Sequence, residues 1–197
     1  MRRLGVALVA GLVLGVATHV LQGILPGALN WIANALSGWL LVAFLAGSRM
    51  PRPRVAAVLV PLMLLTALAG YCATVQVRFG YGANTSILVS WGLGAVAGGL
   101  VFGCAGWWWR HGAARARAAS AGLLAALFVA AGVYFLAILP DPAVGLGALA
   151  VGLCLPGLLG QNWRERGWGY LAMLPGLLLG AAGYAATLAV YGLLTGA

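Results

Sequence analysis

The feature that most constrains this chain is a succession of apolar stretches of about bilayer length, divided by short breaks that carry nearly all of its charge. A helical span takes roughly 20 apolar residues, because each rises about 1.5 Å across about 30 Å of hydrocarbon. Seven stretches qualify: Leu4–Leu25, Trp31–Gly47, Val55–Val75, Thr85–Trp107, Ala118–Leu139, Ala143–Gly160 and Trp168–Leu194, the second and sixth being the shortest. Of the 197 residues only 7% are charged, against about 25% in soluble domains. Nothing remains from which to build a soluble domain. The expectation is one all-α, polytopic membrane helix bundle over residues 1–197 with lipid as its solvent.

Charge placement sets the orientation. The net charge of +9 suggests nucleic acid at first sight, since clustered basic residues mark such binding. Ten of the eleven arginines, however, fall in alternate breaks: Arg2 and Arg3; Arg49, Arg52 and Arg54; Arg110, Arg115 and Arg117; Arg164 and Arg166. The tendency of positive loops to stay cytoplasmic accounts for them with no nucleic-acid partner. The amino terminus is then inside and the carboxyl terminus outside, and removing any one span would spoil the bias. Arg78 is the exception, at the outer end of the third span. Trp107, Trp108, Trp109, Trp163 and Trp168 suit the interfacial aromatic belt. The start of the chain imitates a signal peptide, but its recurrence later in the chain argues against cleavage.

Self-comparison finds that recurrence. Ile24-Leu25-Pro26 returns as Ile138-Leu139-Pro140, and Gly70-Tyr71-Cys72-Ala73-Thr74 returns as Gly183-Tyr184-Ala185-Ala186-Thr187. Pro61 faces Pro175 at nearly the same offset. The plan is a parallel three-plus-one-plus-three repeat, with halves at about 1–80 and 114–195 and a linking helix at about 85–107. The SWEET sugar transporters share this topology, but their proline-glutamine signature is missing and the orientation here is opposite, so the analogy stops at architecture. Glycine pairs such as Gly11 with Gly15, Gly94 with Gly98, Gly99 with Gly103, and Gly176 with Gly180 have the small-xxx-small spacing of packed membrane helices.

Polar side chains are costly in lipid and tend to face a bundle interior, a cavity or the interface. Here they gather toward the outer ends of the first four spans: His19, Gln22, Asn30, Asn34, Ser37, Gln76, Arg78, Asn84, Thr85, Ser86 and Ser90. An apolar wall with a few convergent polar groups is the usual form of a small-ligand site. An outward-opening pocket is expected, in which Arg78 holds an anionic group, Gln22 and Asn34 orient it, Trp31 or Trp91 gives a stacking surface, Ser90 contributes to the lining, and His19 adds a proton-linked step. The structural alternatives are helix caps at Asn30, Asn84 and Thr85, and a pairing of Arg78 with lipid phosphate or Asp141.

No catalytic constellation emerges. Asp141 and Glu165 are the two carboxylates and lie on opposite sides, while His19 and His111 lie on opposite faces. There is no paired acid and base, zinc-binding helix or phosphate-cradling glycine loop. Cys72, Cys104 and Cys154 lack metal-site spacing and read as small apolar residues. An enzyme, a metal and a cofactor are not expected.

The run Asn30-Trp31 through Asn34, Ser37, Trp39 and Ala43-Phe44-Leu45-Ala46-Gly47, then Gly70-Tyr71 and the Trp-rich end of the fourth span, resembles a family of small polytopic bacterial membrane proteins of unassigned function. That resemblance implies a bacterial-type plasma membrane. The small size, the glycine and alanine content and the outer polar cluster are also similar to the substrate-binding subunits of energy-coupling-factor transporters, whose six helices differ from the seven counted here. The functional expectation is a small-solute transporter or substrate-binding membrane subunit. The competing class is a non-transporting bundle, the partner or assembly factor of another membrane protein or of a second copy.

Overall fold

The computed structural model describes the backbone of residues 2–26, 30, 35–80, 84–138 and 141–195, and their side chains except at Ile87 and 183–195. Among these residues there is no strand and there are seven helices: α1 (Arg2–Ile24), α2 (Leu36–Ser48), α3 (Pro53–Phe79), α4 (Thr85–His111), α5 (Ala114–Ala137), α6 (Pro142–Leu159) and α7 (Trp163–Thr195). Five of them, α1 and α3 to α6, are long and apolar enough to cross a membrane, while α2 is apolar but has 13 residues. The chain is an all-helical, multi-pass membrane protein.

α1, α3, α4, α5 and α7 outrun the hydropathic stretches at their polar ends, whereas α2 begins at Leu36, inside the expected Trp31–Gly47. α3 continues through Arg78 to a left-handed cap at Gly80 (φ 73°), whose N–H donates to the Gln76 carbonyl. α5 begins at Ala114 and α7 at Trp163, so Arg115, Arg117, Glu165 and Arg166 stand on helix rather than in loops. Hydropathy measures the hydrocarbon thickness, but backbone hydrogen bonding continues into the interface, where charged side chains are solvated. Asn84 caps α4 by accepting from the Ser86 N–H (2.9 Å), and Asp141 caps α6 by accepting from the Val144 N–H (3.2 Å). Loss of such a cap costs typically about 1 kcal/mol. Asp141→Ala is therefore expected to lower the thermal midpoint modestly, with helix content unchanged by circular dichroism.

Glycine contacts give the directions of the helices. Along α1, Gly11, Gly15 and Gly23 meet Met63, Ala67 and Arg78 of α3 in rising order, so α1 and α3 run parallel. Gly122 meets Gly169 and Ala172, and Gly176 lies against Ala126, so α5 and α7 are also parallel. α3 and α4 are antiparallel, with Gly99 against Pro61 and Cys104 against Pro53, as are α5 and α6, with Gly132 against Gly145 and Gly152 against Ala125. Alternation of this kind brings ten of the eleven arginines to one end of the bundle and leaves Arg78 at the other.

The core lies where α2, α3 and α4 meet, around Ala43, Phe44, Ala56, Val60 and Leu64, with Leu124 of α5 joining it. The shortest helix is thus central. Gly47 of α2 abuts Gly103, and Gly106 abuts the Phe44 carbonyl, contacts that only backbone-to-backbone approach permits. Gly94 and Gly180 face open space, so their small-xxx-small spacing does not mark a helix contact. The tryptophan belt needs a similar correction. Trp108 is exposed, but Trp109 packs on Phe44 and donates to the Leu159 carbonyl (3.3 Å), while Trp107 stacks on His111. Cys72 and Cys104 are partly covered, as small apolar residues would be, whereas Cys154 is exposed.

Candidate functional site

The end of the bundle opposite the arginines holds a polar cluster built by α1 and α3. Gly11 and Gly15 let α1 settle on the α3 backbone, and this close approach buries His19, one turn further on, to 6% exposure. Its ring meets Tyr71 at 5.5 Å and Phe79 at 5.8 Å between centroids, both edge to face. Neither ring nitrogen has a hydrogen-bond partner among the described residues. An imidazole always carries at least one N–H donor, and a buried polar group without a partner is costly.

Arg78 leans back from α3 toward α1. Its guanidinium carbon lies 5.4 Å from the Phe79 centroid, and its Nη1 covers Gly23 so closely that a Cβ there would stand 2.5 Å away. Phe79 thus touches both His19 and Arg78. Half-buried Gln22 offers its carbonyl to the Asn30 side-chain amide, which satisfies one of the carbonyls that every helix end leaves open. Asn30 thus serves the end of α1. Asp141 is engaged with the Val144 N–H, and among the described residues no ion pair joins it to Arg78.

Of the anticipated site, the structure sets His19 and Arg78 against the same Phe79 ring, with Gln22 one turn past His19 on α1. Ser90 and Trp91 stand on α4, which among the described residues does not touch α1, so α3 separates them from this cluster. Ser90 has an enclosed hydroxyl with no described partner, and Trp91 is 41% exposed. Trp31 and Asn34 lie outside the described residues.

A second charged cluster, at the arginine-rich end, escaped the sequence reading. Glu165 of α7 is 2% exposed and receives the Arg117 guanidinium of α5 at 2.5 Å and 3.4 Å, the Gln161 N–H at 3.2 Å and the Asn162 amide at 3.3 Å. Glu165 stands before the apolar stretch that begins at Trp168, and hydrogen bonding from Arg117 holds its carboxyl below the usual value. The readable signal was Asn162-x-x-Glu165, a capping box in which Asn162 also accepts from the Glu165 N–H (3.0 Å).

No curated protein and no solved structure matches this chain. The likeness to energy-coupling-factor subunits therefore gains no support. One family model does match, over residues 1–190, and its members share the unassigned character that the sequence suggested. The chain belongs to that family of unknown function, DUF6518.

Proposed function

We propose that this protein is a small-solute transporter or substrate-binding subunit of a bacterial-type plasma membrane, taking an anionic solute at the α1–α3 end. The basic end faces the cytoplasm, with the amino terminus, and the His19 end faces out. The observation that carries the reading is the buried His19 ring, whose two nitrogens have no partner among the described residues, packed on the same Phe79 ring as an arginine that no carboxylate neutralises among them. A solute carrying an anionic group and a hydrogen-bonding group would satisfy both. Trp31 and Asn34 would complete the site from the segment that follows α1, while Ser90 and Trp91 would line its approach.

The halves at about 1–80 and 114–195, joined by the α4 segment, form on this reading a parallel repeat. In its support, the first and third helices of each half pair in the same parallel sense. The polar groups are kept in the first half, which gives a duplicated scaffold one ligand site.

The test is a thermal-shift panel of small anionic metabolites on the purified full chain. A ligand at 100 times its Kd is expected to stabilise by about 2.7 kcal/mol. Arg78→Ala and Asn34→Ala should abolish the shift, and His19→Phe, which keeps an aromatic ring in the same box, should remove it while the unliganded midpoint holds. Absence of any shift across the panel, with one protein co-purifying in fixed ratio, would establish the partner or assembly-factor reading instead.

A further inference from the structure

At the arginine-rich end, α5 and α7 form an open groove of about 290 Å³ lined by Arg115, Ala119, Trp168, Leu171 and Ala172. Its lining is ordered by depth. Arg115 and Trp168 stand at the mouth, the guanidinium carbon 6.0 Å from the Trp168 ring centroid. Ala119 lies one turn further along α5, and Leu171 and Ala172 one turn further along α7; since these helices run parallel, all three descend together toward the hydrocarbon. Gly122, three residues past Ala119, packs on the Gly169 carbonyl and on Ala172, so the two backbones meet alongside the groove.

Among the described residues Arg115 has no counter-charge. The chain holds two acidic residues: Glu165 is engaged by Arg117, and Asp141 caps α6 at the opposite end. Arg117, two residues further along α5, is spent on Glu165 and on the Gly112 carbonyl (3.1 Å). The guanidinium at the mouth of an apolar groove is therefore an unmatched cation at the level of lipid headgroups. Tryptophan at that level is a common interfacial anchor, and basic pockets between membrane helices commonly take anionic headgroups.

We infer that the α5–α7 groove binds one anionic phospholipid, its phosphate on Arg115 beside Trp168 and one acyl chain laid along Ala119, Leu171 and Ala172. The proposal is independent of the solute reading, which concerns the other end of the bundle. It is tested by native mass spectrometry and thermal shift of the full chain in nanodiscs of phosphatidylglycerol or of phosphatidylcholine, with inorganic phosphate added to the latter as a separate arm.

Phosphatidylglycerol should remain bound to the released protein and raise the midpoint, and phosphatidylcholine should do neither. Arg115→Gln should weaken retention roughly fivefold to tenfold, about the worth of one interfacial cation. Ala119→Leu, which keeps the charge and fills the groove, should weaken it comparably, whereas Arg164→Gln, an exposed arginine at the same end, should leave it unchanged. Equal retention of both lipids, equal loss in Arg164→Gln and Arg115→Gln, or a full shift from inorganic phosphate alone would each overturn the assignment. In the last case the site would be one for free phosphate.

Discussion

Replacing Gly15 by leucine is expected to destabilise the protein by about 3 kcal/mol or more, and to release α1 from the bundle. A Cβ at this position would overlap the Ala67 carbonyl oxygen and come within 2.7 Å of the Tyr71 amide nitrogen. Both are backbone atoms of α3, so no rotamer change relieves the contact. Overpacking a well-fitted interior costs typically about 1–3 kcal/mol when side chains can shift, and a backbone clash belongs at or above the top of that range. Among the described residues α3 is the one helix that α1 packs against, so displacement at Gly15 has no second contact to resist it. The thermal midpoint in detergent should drop sharply, and His19 should become accessible to modification by diethyl pyrocarbonate. Gly94→Leu is the control, because nothing lies within 4 Å of a Cβ there. A Gly15→Leu midpoint within a degree of the parent protein would refute the account.

Glu165→Ala should have the second large effect. The substitution leaves the Arg117 guanidinium without its carboxylate and the Gln161 N–H and Asn162 amide without their acceptor. Glu165 is 2% exposed and Arg117 23%, and removing one member of such a covered pair is more damaging than replacing both, because the survivor keeps the part of its desolvation cost that solvent does not relieve. The doubly substituted Arg117→Leu, Glu165→Leu protein is accordingly expected to be more stable than Glu165→Ala.

The same carboxylate sets an acid limit. Its folded pKa is lowered from an ordinary 4.5 by the Arg117 hydrogen bond, so the unfolded state binds more protons in that range, and stability falls as pH falls. The contribution is fully present above 4.5 and is lost as pH drops through the lowered folded value. Midpoints measured from pH 6 to pH 3 should therefore fall more steeply for the parent protein than for Glu165→Gln; parallel curves would remove Glu165 from the acid response.

The polar clusters show how far the sequence could be read. His19, Gln22 and Arg78 were legible as a group because a charge, an amide and an imidazole near adjoining span ends stand out in a chain with so few polar residues. Nothing in their spacing revealed that Phe79 touches both His19 and Arg78, or that α3 separates them from Ser90 and Trp91. The Arg117–Glu165 pair was missed because both residues were taken as loop charges. Hydropathy windows stop at the hydrocarbon boundary and cannot follow a helix into the headgroup layer.

Sequence alone determined that the chain threads a bilayer many times as helices and that its arginines gather at one end. Both follow from local rules: lipid offers backbone groups no hydrogen bonds, and arginine resists transfer across the membrane. Tertiary structure decided which helices touch. It made thirteen-residue α2 central and left α1 resting on α3, because within lipid no hydrophobic force ranks one greasy helix face above another. Which neighbour a helix takes depends on where glycines let backbones meet, as at Gly15 with Ala67 and Gly106 with Phe44, and that match exists only once the surfaces are side by side.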